Sequence, residues 1–196
     1  MAEATRQLAG AIAQAYDFAG IDRLVDVGGG YGTLLSTVLA SHPGMSGVVF
    51  DQPHCRDGAE QQIAATGLSD RYAFAAGDFF EDPLPSGADA YILKSVLHDW
   101  DDNRALAILR RCREAMPERS RLLVIEVVVP DRLGSTATHR GMVFADLHMM
   151  VATGGRERSA SQYRDLLHQS DFAVTRVIPT GTPAGLDVIE ATPRGT

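Results

Sequence analysis

The chain has 196 residues, enough for one domain with its own core, and its 45% hydrophobic and 22% charged content is ordinary for a globular protein. A formal charge of −7 is a poor match for a polyphosphate backbone and argues against nucleic acid as a partner. No apolar run approaches the roughly 20 residues that a membrane-spanning helix needs, so no membrane partner is expected. Cys55 and Cys112 lie far apart without CxxC spacing, which excludes a disulfide framework and a zinc site. The opening MAEATRQLAG lacks the basic-then-apolar layout of a leader, and a cytoplasmic location is expected.

In chain order, residues 5–18 carry Leu8, Ala11, Ile12, Ala15 and Tyr16 at helical spacing. Residues 24–27 read as a buried strand that runs into glycines. Residues 33–40 set Leu34, Leu35, Val38 and Leu39 on one helical face, and His42-Pro43-Gly44 ends that helix. A second strand, 47–50, stops at Asp51; a helix follows over 56–65, then a third strand over 72–75. The turn-rich stretch 81–87 leads to a fourth strand, 90–93. An amphipathic helix covers 103–115, and 122–129 is the strongest strand signal. Residues 130–140 read as a polar loop and 142–151 as a methionine-rich helix. Ser159-Ala160-Ser161-Gln162 has the form of a capping box that opens a helix to about Ser170. Two last strands, 173–178 and 186–191, flank a turn at 181–185.

Strand and helix alternate five times, which predicts an α/β fold with a parallel sheet covered by helices on both faces. The closing pair has too short a connection for a parallel crossover, so the last strand is expected to be antiparallel. Seven strands result. Without an internal repeat or interdomain linker, residues 1–196 read as one domain.

The sharpest motif is Asp26-Val27-Gly28-Gly29-Gly30-Tyr31-Gly32, between the first strand and the following helix. Glycines there allow a tight turn and the close approach of a ligand, and such loops open the ligand crevice of parallel sheets. The dinucleotide fingerprint wants a small residue where Thr33 stands, so a nicotinamide cofactor fits imperfectly. Asp51, 21 residues after Gly30, is spaced to bind ribose hydroxyls. A carboxylate at Asp26 would repel a pyrophosphate and suits the ammonium or sulfonium side of S-adenosylmethionine. The plain alternative is a tight turn plus a surface aspartate.

Four motifs in order resemble the plant caffeate-type and bacterial antibiotic-type O-methyltransferases: 25–32 (VDVGGGYG), 77–80 (GDFF), 93–100 (LKSVLHDW) and 154–158 (GGRER). The likeness runs from about residue 16 to the C-terminus. It implies a Rossmann-like class I methyltransferase fold and S-adenosyl-L-methionine as cofactor. The loop of Gly28, Gly30 and Gly32 would hold the methionine part, Asp51 the ribose, and Asp78 and Phe79 the adenine. Lys94 would contact the methionine end. His98 would be the general base, oriented by Glu126 or Glu157. The partner implied is a small aromatic or polyketide-like acceptor. The family's N-terminal helical dimerisation domain is not legible in these residues, so the catalytic domain alone is expected, and a homodimer or a separate helical domain is left open.

Each candidate has a plainer reading. His98 could be a histidine packed at a helix start, the reading also given to His42, His54, His139, His148 and His168, although His148 could line a pocket. Glu126 interrupts an apolar strand, where a charge needs a partner, or else ends that strand at the surface. Glu157 could pair with Arg156 and Arg158 in solvent. Asp146, Met149 and Met150 would line the acceptor pocket, or be solvated face and core. Sulfonium chemistry needs no Lewis acid and no ligand cluster has metal spacing, so no metal is expected. Alternatives to methyl transfer are a relative with divergent chemistry, such as hydroxylation or decarboxylation, and a cofactor-holding module inactive without a helical partner.

Overall fold

The computed structural model describes residues 2–132, 134–182 and 185–195. Its strands are β1 (Arg23–Val27), β2 (Ser46–Asp51), β3 (Tyr72–Ala76), β4 (Ala90–Lys94), β5 (Arg121–Val129), β6 (Arg158–Ser159), β7 (Phe172–Pro179) and β8 (Leu186–Pro193). The helices are α1 (Ala2–Ala15), α2 (Thr33–Ser41), α3 (Arg56–Thr66), α4 (Asp102–Ala115), α5 (Ala137–Ala152) and α6 (Ala160–Gln169). Strand order is β3-β2-β1-β4-β5-β8-β7, with the two-residue β6 beside β5. Neighbours from β3 to β5 pair in parallel, while β8 pairs antiparallel with both β5 and β7. The seven-stranded, mostly parallel expectation is borne out, and β8 is the reversed strand.

Alternation along the strands splits the core in two. Val25, Val27, Tyr91, Leu93, Leu122 and Val124 pack with α4 and α6 on one face. Leu24, Ile92, Leu123 and Ile125 pack with α1 and α2 on the other. Strands buried on both faces explain their near-continuous apolar runs. The order turns back between β1 and β4, so the loops that leave these two strands flank a crevice at their carboxyl ends.

Two boundaries differ from the sequence reading. Helix α1 ends at Ala15, because Tyr16 and Phe18 turn into the core and Asp17 accepts the Ala19 N–H at 2.9 Å. Helix α5 starts at Ala137, inside the expected loop 130–140, where the Thr136 side chain caps the His139 N–H at 3.1 Å. The capping box at Ser159 forms as read, with both reciprocal bonds present. Within the turn 181–185, Pro183 and Ala184 lie outside the described residues. Among the described residues no helix is long and apolar enough to cross a membrane, and both cysteines are buried and free.

Candidate active site

Two adjoining cavities open at the crevice, and both are lined by Gly28 and Ser95. The first, about 330 Å³, is lined further by Asp26, Gly30, Tyr31 and Lys94. The second, about 230 Å³, is lined further by Asp51, Asp78, Phe79, Asp99 and Trp100. The glycine loop shapes the wall between strand and helix. Gly28, Gly30 and Gly32 all have positive φ. A Cβ on Gly32 would fall 1.4 Å from the Tyr72 hydroxyl, whereas one on Gly30 would meet nothing within 4 Å. Gly30 donates its N–H to Asp51 Oδ2 at 2.7 Å, which ties the loop to the end of β2.

Asp26 is buried on the α2 side of β1, and no side chain among the described residues hydrogen-bonds either carboxylate oxygen. Burial pushes its pKa up to about 7; Lys94 pulls it down and Asp51 pushes it further up. Unpartnered buried oxygens are costly, and these face a cavity that can admit a cationic group. At the other end, Asp78 Oδ1 accepts the Phe80 N–H at 2.8 Å. Phe79 stands edge-on to Phe80 and Trp100, with ring centroids 4.8 and 6.0 Å apart. An aromatic wall beside two aspartates fits a flat base and a sugar. The paired cavities thus suit one elongated ligand with a cationic end near Asp26 and a nucleoside end near Asp51 and Phe79.

His98 follows β4 on the turn Leu97–Asp99 and is partly buried. Its Nδ1 lies 3.5 Å from Glu126 Oε2 and 3.6 Å from Glu157 Oε1, and its Nε2 lies 3.7 Å from Asp99 Oδ1. These separations are too long for hydrogen bonds, so charge does the holding. Burial alone would lower the His98 pKa; Glu157, Glu126 and Asp99 together outweigh it and hold it above the usual value. Glu126 is fully buried in β5, and its Oε1 accepts the N–H groups of Val96 at 2.9 Å and Leu97 at 2.8 Å. Burial raises its pKa to about 7, with His98 and the two amides opposing. Glu126 is therefore interior and not a surface residue at a strand end.

Glu157 also turns inward, because its neighbours are engaged elsewhere. Arg156 and Arg158 both pair with Asp102 on α4. Asp146, exposed on α5, accepts the Glu157 N–H at 2.8 Å, so it braces the cluster from behind. Met149 is half-buried and Met150 is 58% exposed; with Asp146 they line neither cavity. Other residues of the crevice escaped the sequence reading. Ser95 sits at φ 53 and lines both cavities, and Trp100 and Asp99 line the second. Backbone strain at Ser95 has no sequence signature, since serine shows no preference for this region. Arg158 is the largest fully buried side chain, and its partner Asp102 is 56 residues away in sequence. Among the described residues no group of His, Cys, Asp and Glu is arranged to hold a metal ion.

Comparison with known proteins agrees with this geometry. Residues 1–173 match a family model described as an O-methyltransferase domain. A phenazine O-methyltransferase of Lysobacter antibioticus is 43% identical over 96% of this chain and 53% of its own length. An O-demethylpuromycin-O-methyltransferase of Streptomyces alboniger is 46% identical over 98% of this chain and 51% of its own. The crystal structure of an O-methyltransferase from neocarzinostatin biosynthesis, in complex with S-adenosylmethionine and 2-hydroxy-5-methyl naphthoic acid, superposes with a TM-score of 0.82 at 41% identity. It covers 93% of this chain and 52% of that one. The chain spans about half the length of these relatives. It belongs to the S-adenosylmethionine-dependent O-methyltransferase family.

Proposed function

We propose that this chain transfers a methyl group from S-adenosylmethionine to a hydroxyl of an aromatic or polyketide-like small molecule, with His98 as the general base. The observation that carries the reading is His98 held against two buried carboxylates, on a turn whose Val96 and Asp99 line the second cavity. The names of the relatives, which act on phenazine, demethylpuromycin and naphthoate compounds, support the acceptor class.

Asp26 and Lys94 would receive the amino-acid end of the cofactor, along the backbone of Gly28, Gly30 and Gly32. Asp51 would accept from the ribose hydroxyls, and Asp78 and Phe79 would hold the adenine. The bound sulfonium supplies an electrophilic methyl group, ready for in-line displacement. The protein's task is then to deliver a deprotonated oxygen in line with that carbon. Nδ1 of His98 faces Glu126 and Glu157, so its proton stays on that side and Nε2 is the basic atom. A phenol with a pKa near 10 gives up its proton to Nε2. The imidazolium formed is stabilised by the two carboxylates behind it.

His98→Ala should lower turnover by roughly 10²–10⁴, the usual range for a positioned base. The loss should shrink on phenols whose electron-withdrawing groups leave them ionised at neutral pH. Rates on a graded series of phenols check this. An equal loss across the series would make His98 a substrate-positioning group, and no loss would remove it from the mechanism.

A second reading is a cofactor-holding module whose acceptor pocket is completed by a helical domain. It is favoured by α5, which leaves Phe144 72% and Val151 83% exposed. Turnover that appears only when such a domain is added would select it.

A further inference from the structure

The guanidinium of Arg158 is fully buried, yet it does not touch the ligand cavities. Apart from a long contact of Nη1 to the Arg156 carbonyl at 3.5 Å, its shorter hydrogen bonds go to the segment that carries His98. Nη1 donates to the Leu97 carbonyl at 2.7 Å, and Nη2 donates to the Trp100 carbonyl at 2.6 Å. Nε and Nη2 donate to Asp102 Oδ1 at 3.1 and 3.0 Å. One planar fork therefore spans the turn from the residue before His98 to the first residue of α4. The His98 carbonyl is held from the same side. It accepts the Arg156 N–H at 2.9 Å, and Gly155 packs so closely that a Cβ there would fall 2.0 Å from it. The opposite side of the turn rests on Glu126, which accepts the amides of Val96 and Leu97.

We propose that Arg158 is the positioning residue of His98: its guanidinium fixes the 97–102 turn so that the imidazole stays between Glu126 and Glu157. A buried arginine is costly unless paired and fully bonded. Here the desolvation is offset by Asp102 and by the Leu97 and Trp100 carbonyls. A lysine has three donors on a compact head and cannot reproduce the fork. The proposal deepens the general-base reading, but its test needs no turnover and no acceptor.

The readout is the NMR titration of the His98 Cε1–H signal, assigned by its disappearance in His98→Gln. The charged or titratable groups around the ring are Asp99 on its own turn, Glu126 on β5, Glu157 before β6, and the Arg158 and Tyr163 side chains nearby. Two variants, checked for folding by near-ultraviolet circular dichroism, separate position from charge. Arg158→Lys keeps the charge, so a purely electrostatic role predicts an unchanged midpoint. Arg158→Met removes a positive charge, so a purely electrostatic role predicts a higher one. Release of the turn predicts the opposite in both, because His98 draws away from the carboxylates that hold its proton. The expected result is a lower midpoint and a broadened signal in Arg158→Lys, and a further fall in Arg158→Met. Arg104→Gln removes a charge that stacks over Trp100 without touching the turn's carbonyls, and should leave the midpoint where it is. A midpoint in Arg158→Lys at or above that of the unaltered protein overturns the proposal. The phenol series on His98→Ala fails or succeeds separately, so the two claims are distinguishable.

Discussion

At the scale of single residues, Asp26 illustrates how a binding site stores unfavourable electrostatics. Its folded pKa of about 7 lies above the ordinary 3.8, so the folded state holds a proton more tightly than the unfolded chain. The stability this confers is complete below about pH 4 and is lost as pH rises through about 7. Asp26→Asn removes the titration while keeping the shape. Thermal unfolding of the ligand-free protein should show a gain over the unaltered chain that grows by about 2–4 kcal/mol from pH 5 to pH 8, at about 1.4 kcal/mol per pKa unit. A gain independent of pH would mean that Asp26 is not buried as a charge. The cluster around His98 shows the same tension. Two carboxylates face one imidazole nitrogen, and Glu126 Oε2 and Glu157 Oε2 are left without hydrogen-bond partners in the ligand-free fold. Sequence could suggest Glu126, because a charge in Arg121–Val129 breaks an apolar run. It could not show that Arg156 and Arg158 leave Glu157 free, since their partner Asp102 belongs to another helix.

At the scale of elements, the parallel strands were legible because burial on both faces writes them as apolar runs between turn residues. The capping box at Ser159 and the glycine loop were legible for a similar reason: each is a local device whose residues are neighbours in sequence. Helix α5 was not. Its start, Ala137 to Arg140, carries no apolar face, and the apolar residues after it are mostly exposed, with Met142 and Met149 half-buried. The two-residue β6 is defined only by pairing with Val128 and Val129, which a local pattern cannot reveal. Within the glycine loop the structure separates two jobs that the motif alone does not. Gly32→Ala places a Cβ against the Tyr72 hydroxyl at φ +75 and should cost roughly 2–4 kcal/mol, or several degrees of melting temperature. Gly30→Ala meets open space at φ +58 and should cost only about 1 kcal/mol, while weakening S-adenosylhomocysteine binding by about tenfold or more. Differential scanning calorimetry beside a binding titration checks the pair; equal effects of both variants on both readouts would contradict the division.

At the scale of the whole molecule, the order reversal between β1 and β4 places the glycine loop and the His98 turn on either side of one crevice. Helix α5 leaves Val143, Phe144, Leu147, Met150 and Val151 exposed. Because these side chains bury little within the described fold, Phe144→Ser with Val151→Ser should leave the melting temperature within a degree or two and lower the fluorescence of a bound apolar dye. A large drop in melting temperature would mean that α5 packs more tightly than its exposure indicates. The central claim is that the two cavities are one S-adenosyl site, with Asp51 at its ribose. Isothermal titration of S-adenosylhomocysteine into the unaltered chain and into Asp51→Ala tests it most directly. Saturable one-to-one binding is expected, weakened in the variant by about 1–3 kcal/mol, roughly 5- to 150-fold. Unchanged affinity in Asp51→Ala, or no binding to the unaltered chain, would contradict it.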